Sequence, residues 1–332
     1  MQKIRWGVLG VARIATTKVI PAMQQGALTE IVAIASRDGA RAREAARELG
    51  IARAYGSYEE LLADAEIDAV YNPLPNHLHV PWSIRAAEAG KHVLCEKPVA
   101  MNADEVLPLI AARDRAGVLI GEAFMIQTHP QWMRTVELAR SGRLGELRAA
   151  IGSFGYFKLE PDNIRNIREY GGGGLMDIGC YPIKCSRLVF GEEPVRVAAS
   201  ITRDPRFGHI DTLASAVLEF PSGHCVFTCG TQVVGNQSMQ FLGSAGRVEI
   251  EIPFNPVANE VSRIRVDGAV EEFASCDQYT LQGDAFSRAI LEGGQPPVPL
   301  EDAWKNMKVI DAVFRAGDRG GWVDVERRAA KA

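Results

Sequence analysis

Over the first third of the chain, short apolar runs alternate with segments of helical period. Residues 4–10 precede a helical pattern at 14–23, 31–35 precede 40–49, 69–71 precede 80–89, and 93–95 precede 103–116, with a last run at 118–120. The runs lack polar alternation, as do strands buried on both faces of a parallel sheet. A doubly wound Rossmann sheet is predicted. From about residue 148 apolar and polar positions alternate over 148–159, 195–203, 211–220, 225–233, 240–252 and 262–266, with turn signals at Pro221-Ser222-Gly223 and Asp267-Gly268. These read as an open, mainly antiparallel sheet, one face covered and the other available for association. Helical stretches at 279–291 and 301–316, joined by a Gly/Pro-rich 293–299, close the pattern. The expected fold class is therefore α/β. An N-terminal Rossmann dinucleotide-binding domain covers 1–124, and an α+β domain for substrate binding and oligomerisation covers 125–332, its last helices packing back on the first domain. The ligand crevice is expected at the joint near Phe124 and Met125.

Composition narrows the classes. At roughly 100 to 200 residues per domain, 332 residues fit two domains, and 47% hydrophobic residues suffice for full cores. With 37 basic against 41 acidic residues, net charge −4, no cationic surface for nucleic acid is expected. No apolar run reaches the length of about 18 residues that a membrane span needs, since Glu122 interrupts the stretch at 118–126. A strand-like segment starts by Ile4, where a secretory signal would place a basic end and an apolar core, so a cytoplasmic location is expected. The six cysteines, Cys95, Cys180, Cys185, Cys225, Cys229 and Cys276, form no C-x-x-C pair and read as buried free thiols. His77-Leu78-His79 reads as local packing, and no metal site is expected.

The first β–α turn holds Gly7-Val8-Leu9-Gly10-Val11-Ala12-Arg13-Ile14-Ala15, with Gly10, Ala12 and Ala15 at the three positions of G-x-G-x-x-G. The first position permits a tight turn, the second lets backbone approach a pyrophosphate, and the third allows close helix packing. Gly10, Val11, Ala12, Arg13 and Ile14 are thus candidate cofactor contacts, although a helix packed tightly on a strand would show the same small residues. An NAD site places a carboxylate at the end of the next strand for the ribose 2′-OH. Here Ser36 and Arg37 stand there, followed by Arg41. A hydroxyl and two guanidiniums suit a 2′-phosphate, so NADP is expected over NAD. Arg37 and Arg41 would equally belong to the solvated face of a helix carrying Arg43 and Arg47.

Two more turns follow strands, Asn72-Pro73-Leu74-Pro75-Asn76-His77 and Cys95-Glu96-Lys97-Pro98, and open parallel sheets bind ligands at such carboxyl ends. A lysine there, before a φ-fixing proline, can point at a substrate hydroxyl or carbonyl; a lone lysine is otherwise a surface charge. Downstream lies Gly171-Gly172-Gly173-Gly174-Leu175-Met176-Asp177-Ile178-Gly179-Cys180-Tyr181. With the fingerprint, Glu96-Lys97-Pro98 and this segment, the chain resembles the Gfo/Idh/MocA family of NAD(P)-dependent oxidoreductases over essentially its whole length. A tyrosine four residues after the aspartate is similar to the branch of glucose-fructose oxidoreductase, dimeric dihydrodiol dehydrogenase and NADP-dependent sugar dehydrogenases; the inositol dehydrogenase branch has histidine there. The resemblance implies Lys97 and Tyr181 as the catalytic pair, Asp177 as a supporting carboxylate, and Ser36, Arg37 and Arg41 as the 2′-phosphate region. Their place at strand ends makes Asn72, Pro73, Leu74, Asn76, His77, Glu96 and Lys97 candidate cofactor contacts; Lys97, Asp177 and Tyr181 are expected at the substrate, and Arg165 and Arg168, just before the glycine run, are candidates to hydrogen-bond substrate hydroxyls or cofactor phosphate. His129 and Gln282 fall in segments that line the cleft in that family. Simpler roles exist: Asp177 as a carboxylate serving free helix-start amides, Tyr181 as a core aromatic, Arg165 and Arg168 as a solvated face. Lys184 lies one residue short of a Tyr-x-x-x-Lys spacing and is secondary.

The pair has a physical basis. Tyrosine near its ordinary pKa of about 10 is a poor base at neutral pH, and lowering it by roughly three units needs about 4 kcal/mol of preferential stabilisation of phenolate. An ammonium has the right sign. The phenolate would take a proton from a sugar hydroxyl as hydride leaves the same carbon for C4 of the nicotinamide. The expected function is NADP-dependent oxidation of an aldose at C1 to the lactone, reduction of a sugar carbonyl, or both. Oxidation of a trans-dihydrodiol and reduction of a nucleotide-linked keto-sugar are alternatives. A non-catalytic NADP-sensing regulator is an alternative of another class, with no use for both Lys97 and Tyr181. The expected partners are a sugar or polyol and a second copy of the chain, in a homodimer or higher homo-oligomer formed through the antiparallel sheet.

Overall fold

The computed structural model describes residues 2–258 and 260–326. Its chain divides into two units. The first takes the chain up to Thr128 and then Cys276–Ala303; the second takes His129–Ser275 and the chain from Trp304 onward.

In the first unit six strands form an all-parallel sheet: β1 (Ile4–Leu9), β2 (Thr29–Ala35), β3 (Arg53–Tyr55), β4 (Ala69–Asn72), β5 (His92–Glu96) and β6 (Ile120–Ala123), in the order β3-β2-β1-β4-β5-β6. The order reverses between β1 and β4, which makes their carboxyl ends the topological switch point of a Rossmann sheet. Trp6, Val8, Ile34, Ala69, Tyr71 and Leu94 are buried in its core. The crossovers are α1 (Ile20–Met23), α2 (Gly39–Leu49), α3 (Tyr58–Ala63), α4 (His79–Glu88) and α5 (Ala103–Ala116). Asp38, Ser57 and Asn102 cap α2, α3 and α5 with side-chain oxygens that take otherwise unpartnered amides. β6 begins at Ile120, two residues later than the apolar run suggests, because Gly117 ends α5 in the left-handed conformation and the chain must first return to the sheet. The later helix α8 (Gln278–Glu292) belongs to this unit. Its Ser287 accepts from the Trp6 indole at 3.1 Å, and its Asp284 accepts from the amides of Ala27 and Leu28.

The second unit is built on a nine-stranded sheet. Its strands are β7 (Leu147–Phe157), β8 (Arg196–Asp204), β9 (Ile210–Glu219), β10 (His224–Gly230), β11 (Gln232–Gly243), β12 (Arg247–Ile250), β13 (Ser262–Val266), β14 (Ala269–Phe273) and β15 (Trp322–Asp324). The order is β14-β13-β12-β11-β7-β10-β9-β8-β15, and β7 with β10 is the parallel pair among antiparallel neighbours. Two apolar runs that read as single strands are each divided. Residues 225–233 turn at Thr231 from β10 into β11, and 240–252 turn at Ser244–Gly246 from β11 into β12. On β7, buried Ala150, Gly152 and Phe154 alternate with the more exposed Ala149, Ile151 and Ser153. The covered face packs on α6 (Pro130–Arg140) and α7 (Cys180–Phe190), and α9 (Leu300–Arg319) runs from the first unit into the second. Trp132, Phe154, Phe241 and Phe254 form an aromatic core, with Phe154 and Phe254 stacked at 4.9 Å and the Trp132 indole donating to the Pro253 carbonyl at 2.7 Å.

Candidate active site

The Gly10 turn is the centre of the first unit's site. Gly10 has φ +95°, its amide donates to the Ala35 carbonyl at the end of β2, and a Cβ there would meet Leu74 Cδ2 at 2.9 Å. Only glycine fits this junction. The following helix opens with the bond from the Thr16 amide to the Ala12 carbonyl, so the amides of Arg13, Ile14 and Ala15 precede the intrahelical ladder. Val11, Ala12 and Ile14 turn their side chains onto the core, while Arg13 is exposed. A backbone cradle of this kind fits a pyrophosphate.

Beside it, Ser36 is buried at the end of β2, and its hydroxyl accepts from the Asp38 amide at 3.2 Å. Asp38 is a carboxylate close to the position where one would repel a phosphate. It is spent on the amides of Ala40 and Arg41 at the start of α2. Arg37 and Arg41 are exposed and converge on Tyr58: Arg37 hydrogen-bonds the Tyr58 hydroxyl, and both guanidiniums pull its pKa down against a larger upward push from burial. Burial wins, so the hydroxyl keeps its proton. Built on the backbone, a Cβ at Gly10 would lie 3.5 Å from that oxygen, so the turn, Tyr58 and the two arginines share one locality. His77, lowered first by burial and then by Arg37, flanks it as a neutral imidazole. In this unit Tyr58 is a residue that sequence reasoning missed.

The turns after β4 and β5 are braced internally. Asn72 is fully buried, and its amide nitrogen donates to the His79 carbonyl and the Ser83 hydroxyl, each at 3.1 Å, while its oxygen accepts from the Leu74 amide at 3.3 Å. Pro73 and Leu74 are buried as well, and Asn76 and His77 are half-buried in a short 3-10 turn. His79 ties the two turns together, its ring nitrogens 2.6 Å from the Leu74 carbonyl and 2.8 Å from that of Pro98, with its pKa driven down to about 4 by burial. Glu96 accepts from the Tyr71 hydroxyl at 2.6 Å, and half-buried Lys97 follows it. Gln282 is buried on α8.

In the second unit a five-residue π-turn, Leu175–Gly179, leads into α7 with Tyr181 at its start. Pro182 has no amide to donate back, and the wider turn absorbs that gap. The π-turn Ala15–Val19 ahead of Pro21 repeats the device. Tyr181 is buried against Phe154 and Phe254, at 5.6 and 5.3 Å between ring centroids, which fixes the direction of its hydroxyl. One oxygen of Asp177 accepts from both the Tyr156 hydroxyl and Arg165 Nε, each at 2.7 Å. Asp177 holds Arg165 firmly protonated, and burial together with the same carboxylate keeps Tyr156 neutral. Arg165 thus carries an ion pair rather than standing as an isolated cation, with 40% of its side chain exposed. Arg168 is exposed and donates to the Gly208 carbonyl, His129 caps α6 with its pKa lowered to about 4 by burial, and Lys184 is buried on α7. Tyr156 carried no sequence signal, because it lies 21 residues before Asp177 on a strand.

Comparison with known proteins identifies the family. Residues 4–124 match the model of the oxidoreductase family with an NAD-binding Rossmann fold, and residues 132–249 match the GFO/IDH/MocA C-terminal domain. The chain is 41% identical to D-xylose 1-dehydrogenase (NADP(+)) 2 of Haloferax volcanii, over 97% of this chain and 99% of that protein. The aldose-aldose oxidoreductase of Caulobacter crescentus has a similar structure, with a TM-score of 0.89, 30% identity, and coverage of 97% of this chain and 100% of that one. A 3-ketoreductase from Actinomadura kijaniata, solved with NADP and TDP-benzene, has a TM-score of 0.88 at 32% identity, covering 95% and 98% of the two chains. The chain belongs to the Gfo/Idh/MocA family, and it is an oxidoreductase.

Proposed function

We propose that the protein is an NADP-dependent oxidoreductase of sugars that oxidises an aldose at C1 to its lactone and reduces a sugar carbonyl in the reverse direction. The observation that carries this reading is the end of β2, where Ser36, Arg37 and Arg41 stand with Tyr58, and the carboxylate that follows them, Asp38, is spent on the α2 amides. Such a set favours a 2′-phosphate over a bare ribose. The NADP named with the xylose dehydrogenase and the ketoreductase, and the sugars in the relatives' names, support the same reading. Bound NADP(H) would supply the hydride acceptor or donor.

The chain's own residues would do the rest. The Gly10–Ile14 turn, through the amides of Arg13 and Ile14 that precede the helical ladder, would seat the pyrophosphate, and the turns at Asn72–His77 and Glu96–Lys97 would orient the remaining cofactor. Tyr181 would take the hydroxyl proton, Lys97 would favour its phenolate, and Asp177, steadied by Tyr156 and Arg165, would accept from a substrate hydroxyl. The test is a panel of aldoses, trans-dihydrodiols and nucleotide-linked keto-sugars, followed by absorbance of the reduced nicotinamide. The reading expects aldoses to give the highest kcat/KM with NADP, and preference for either other class would overturn it.

Replacing both Arg37 and Arg41 by Ala should lower kcat/KM for NADP by about 10²-fold, as expected for losing two partly solvated charge-assisted contacts, and leave that for NAD within about threefold. An unchanged ratio of the two cofactors would assign the arginines to a solvated face.

The uncovered side of the nine-stranded sheet carries the association proposal. Ile151, Val226, Val217 and Ala198 are paired across β7, β10, β9 and β8, and Ile151 and Val226 are 46% and 45% exposed. Beside them runs a hydroxyl row in which Ser215 and Thr228 bond at 2.9 Å. A continuous apolar strip of this kind suits burial against a second copy. Light scattering should give the mass of a homodimer or a multiple of it, and Val226→Lys should shift that mass to the monomer.

A further inference from the structure

Asp211, on β9, has no part in the proposed chemistry, yet its carboxyl group is built into the start of the glycine-rich helix. Its Oδ2 accepts from the Leu175 amide at 2.5 Å, and the Gly174 amide donates to the same group. Gly173 has φ +119°, and a Cβ there would fall 2.0 Å from Asp211 Oδ1. The carboxyl group therefore occupies the space that any side chain at 173 would need. Helices usually take their cap from the residue that precedes them. Here that residue is Gly174, which has no side chain, and the cap comes from a strand instead.

We infer that Asp211 is a positioning residue, which fixes the first amides of the Leu175–Gly179 turn and, through that turn, the orientation of Asp177 and Tyr181. The inference rests on the reading of Tyr181 as the acid–base residue.

The surroundings of Asp211 set when the cap is charged. Arg203 on β8 favours the carboxylate, but it is also paired with Asp318 at 2.7 Å. Cys229 on β10 and Tyr156 on β7 are neighbours whose pKa values are raised, burial first, and both stay neutral. The amides of Gly174 and Leu175 favour ionisation, yet burial outweighs them and pushes Asp211 up to about 6. The cap is thus ionised at neutral pH and protonated in mild acid, where a carboxylic acid is the weaker acceptor. Global stability moves the other way. A carboxyl group with a pKa higher in the folded chain than in the unfolded one contributes stability that is fully present at low pH and lost as pH rises through the folded value. Loosening confined to this helix start would therefore report the cap and not acid unfolding.

The experiment is hydrogen exchange of the full chain by mass spectrometry between pH 5 and 8, corrected for intrinsic rates, with kcat and KM measured over the same range for carbonyl reduction by NADPH, the direction in which Tyr181 would act protonated and add no acid limb of its own. In the wild type, protection of peptides covering 171–181 should fall about tenfold below pH 6 while β9 is unchanged. Asp211→Asn should show the lower protection at every pH, a kcat about tenfold lower at neutral pH, an unchanged KM for NADPH, and no acid limb near pH 6. Flat wild-type protection across the range would overturn the inference, as would an Asp211→Asn variant that keeps both the wild-type kcat and the acid limb. Should that variant fail to fold, the wild-type exchange profile decides. Absence of sugar turnover would count against the reading of Tyr181, while the exchange step stands or falls independently.

Discussion

Tyr181→Phe should lower kcat by about 10² to 10⁴-fold, a loss of about 3 to 5 kcal/mol of transition-state stabilisation, and leave the dissociation constant of NADPH within about twofold. The substitution removes one oxygen and keeps the ring that packs on Phe154 and Phe254, so the aromatic core of the second unit persists. The deficit then reports proton transfer rather than folding. Steady-state kinetics beside a fluorescence titration with NADPH separate the two. Turnover near the wild-type rate would return Tyr181 to the role of a core aromatic.

Lys97→Met is expected to have the second-largest effect. Methionine keeps much of the apolar stem and deletes the ammonium, so on the proposed mechanism the Tyr181 phenolate would lose its cationic support. In the proposed sugar oxidation the active form would be the phenolate. Without the cation its pKa rises, the active fraction at neutral pH falls, and the rising limb of the pH–rate profile moves to more alkaline values. A displacement of about one to three units and a fall in kcat of about 10²-fold at neutral pH are expected, with partial recovery at high pH. A lower rate with an unmoved limb would leave Lys97 a substrate-binding role alone.

The first unit was largely legible because strands buried on both faces, such as Ile4–Leu9 and Ala69–Asn72, are unbroken apolar runs, and because Gly10 marks a turn that other residues cannot make. β3 and α3 escape such a reading because Arg53–Tyr55 is half-buried and three residues long. Tyr58 was lost with them: a single aromatic at a helix start belongs to no spacing pattern, and its value comes from Arg37 reaching it across the fold. In the second unit, apolar alternation carries straight through the turns at Thr231 and Ser244–Gly246, so four segments of strand read as two. The Asp177 and Tyr181 spacing was visible, whereas their supports were not, since Tyr156 and Asp211 come from strands 21 residues before Asp177 and 36 residues after Leu175. Periodicity records which face of an element is buried, not which distant element meets it.

The most direct test of the central claim follows the hydride itself. The protein is mixed with NADP and an aldose deuterated at C1, and the reduced nicotinamide and the sugar product are analysed after a single turnover. The account predicts deuterium on C4 of the nicotinamide, formation of the lactone, and a slower step than with the unlabelled sugar. NADP that binds yet stays oxidised with every aldose offered would contradict it.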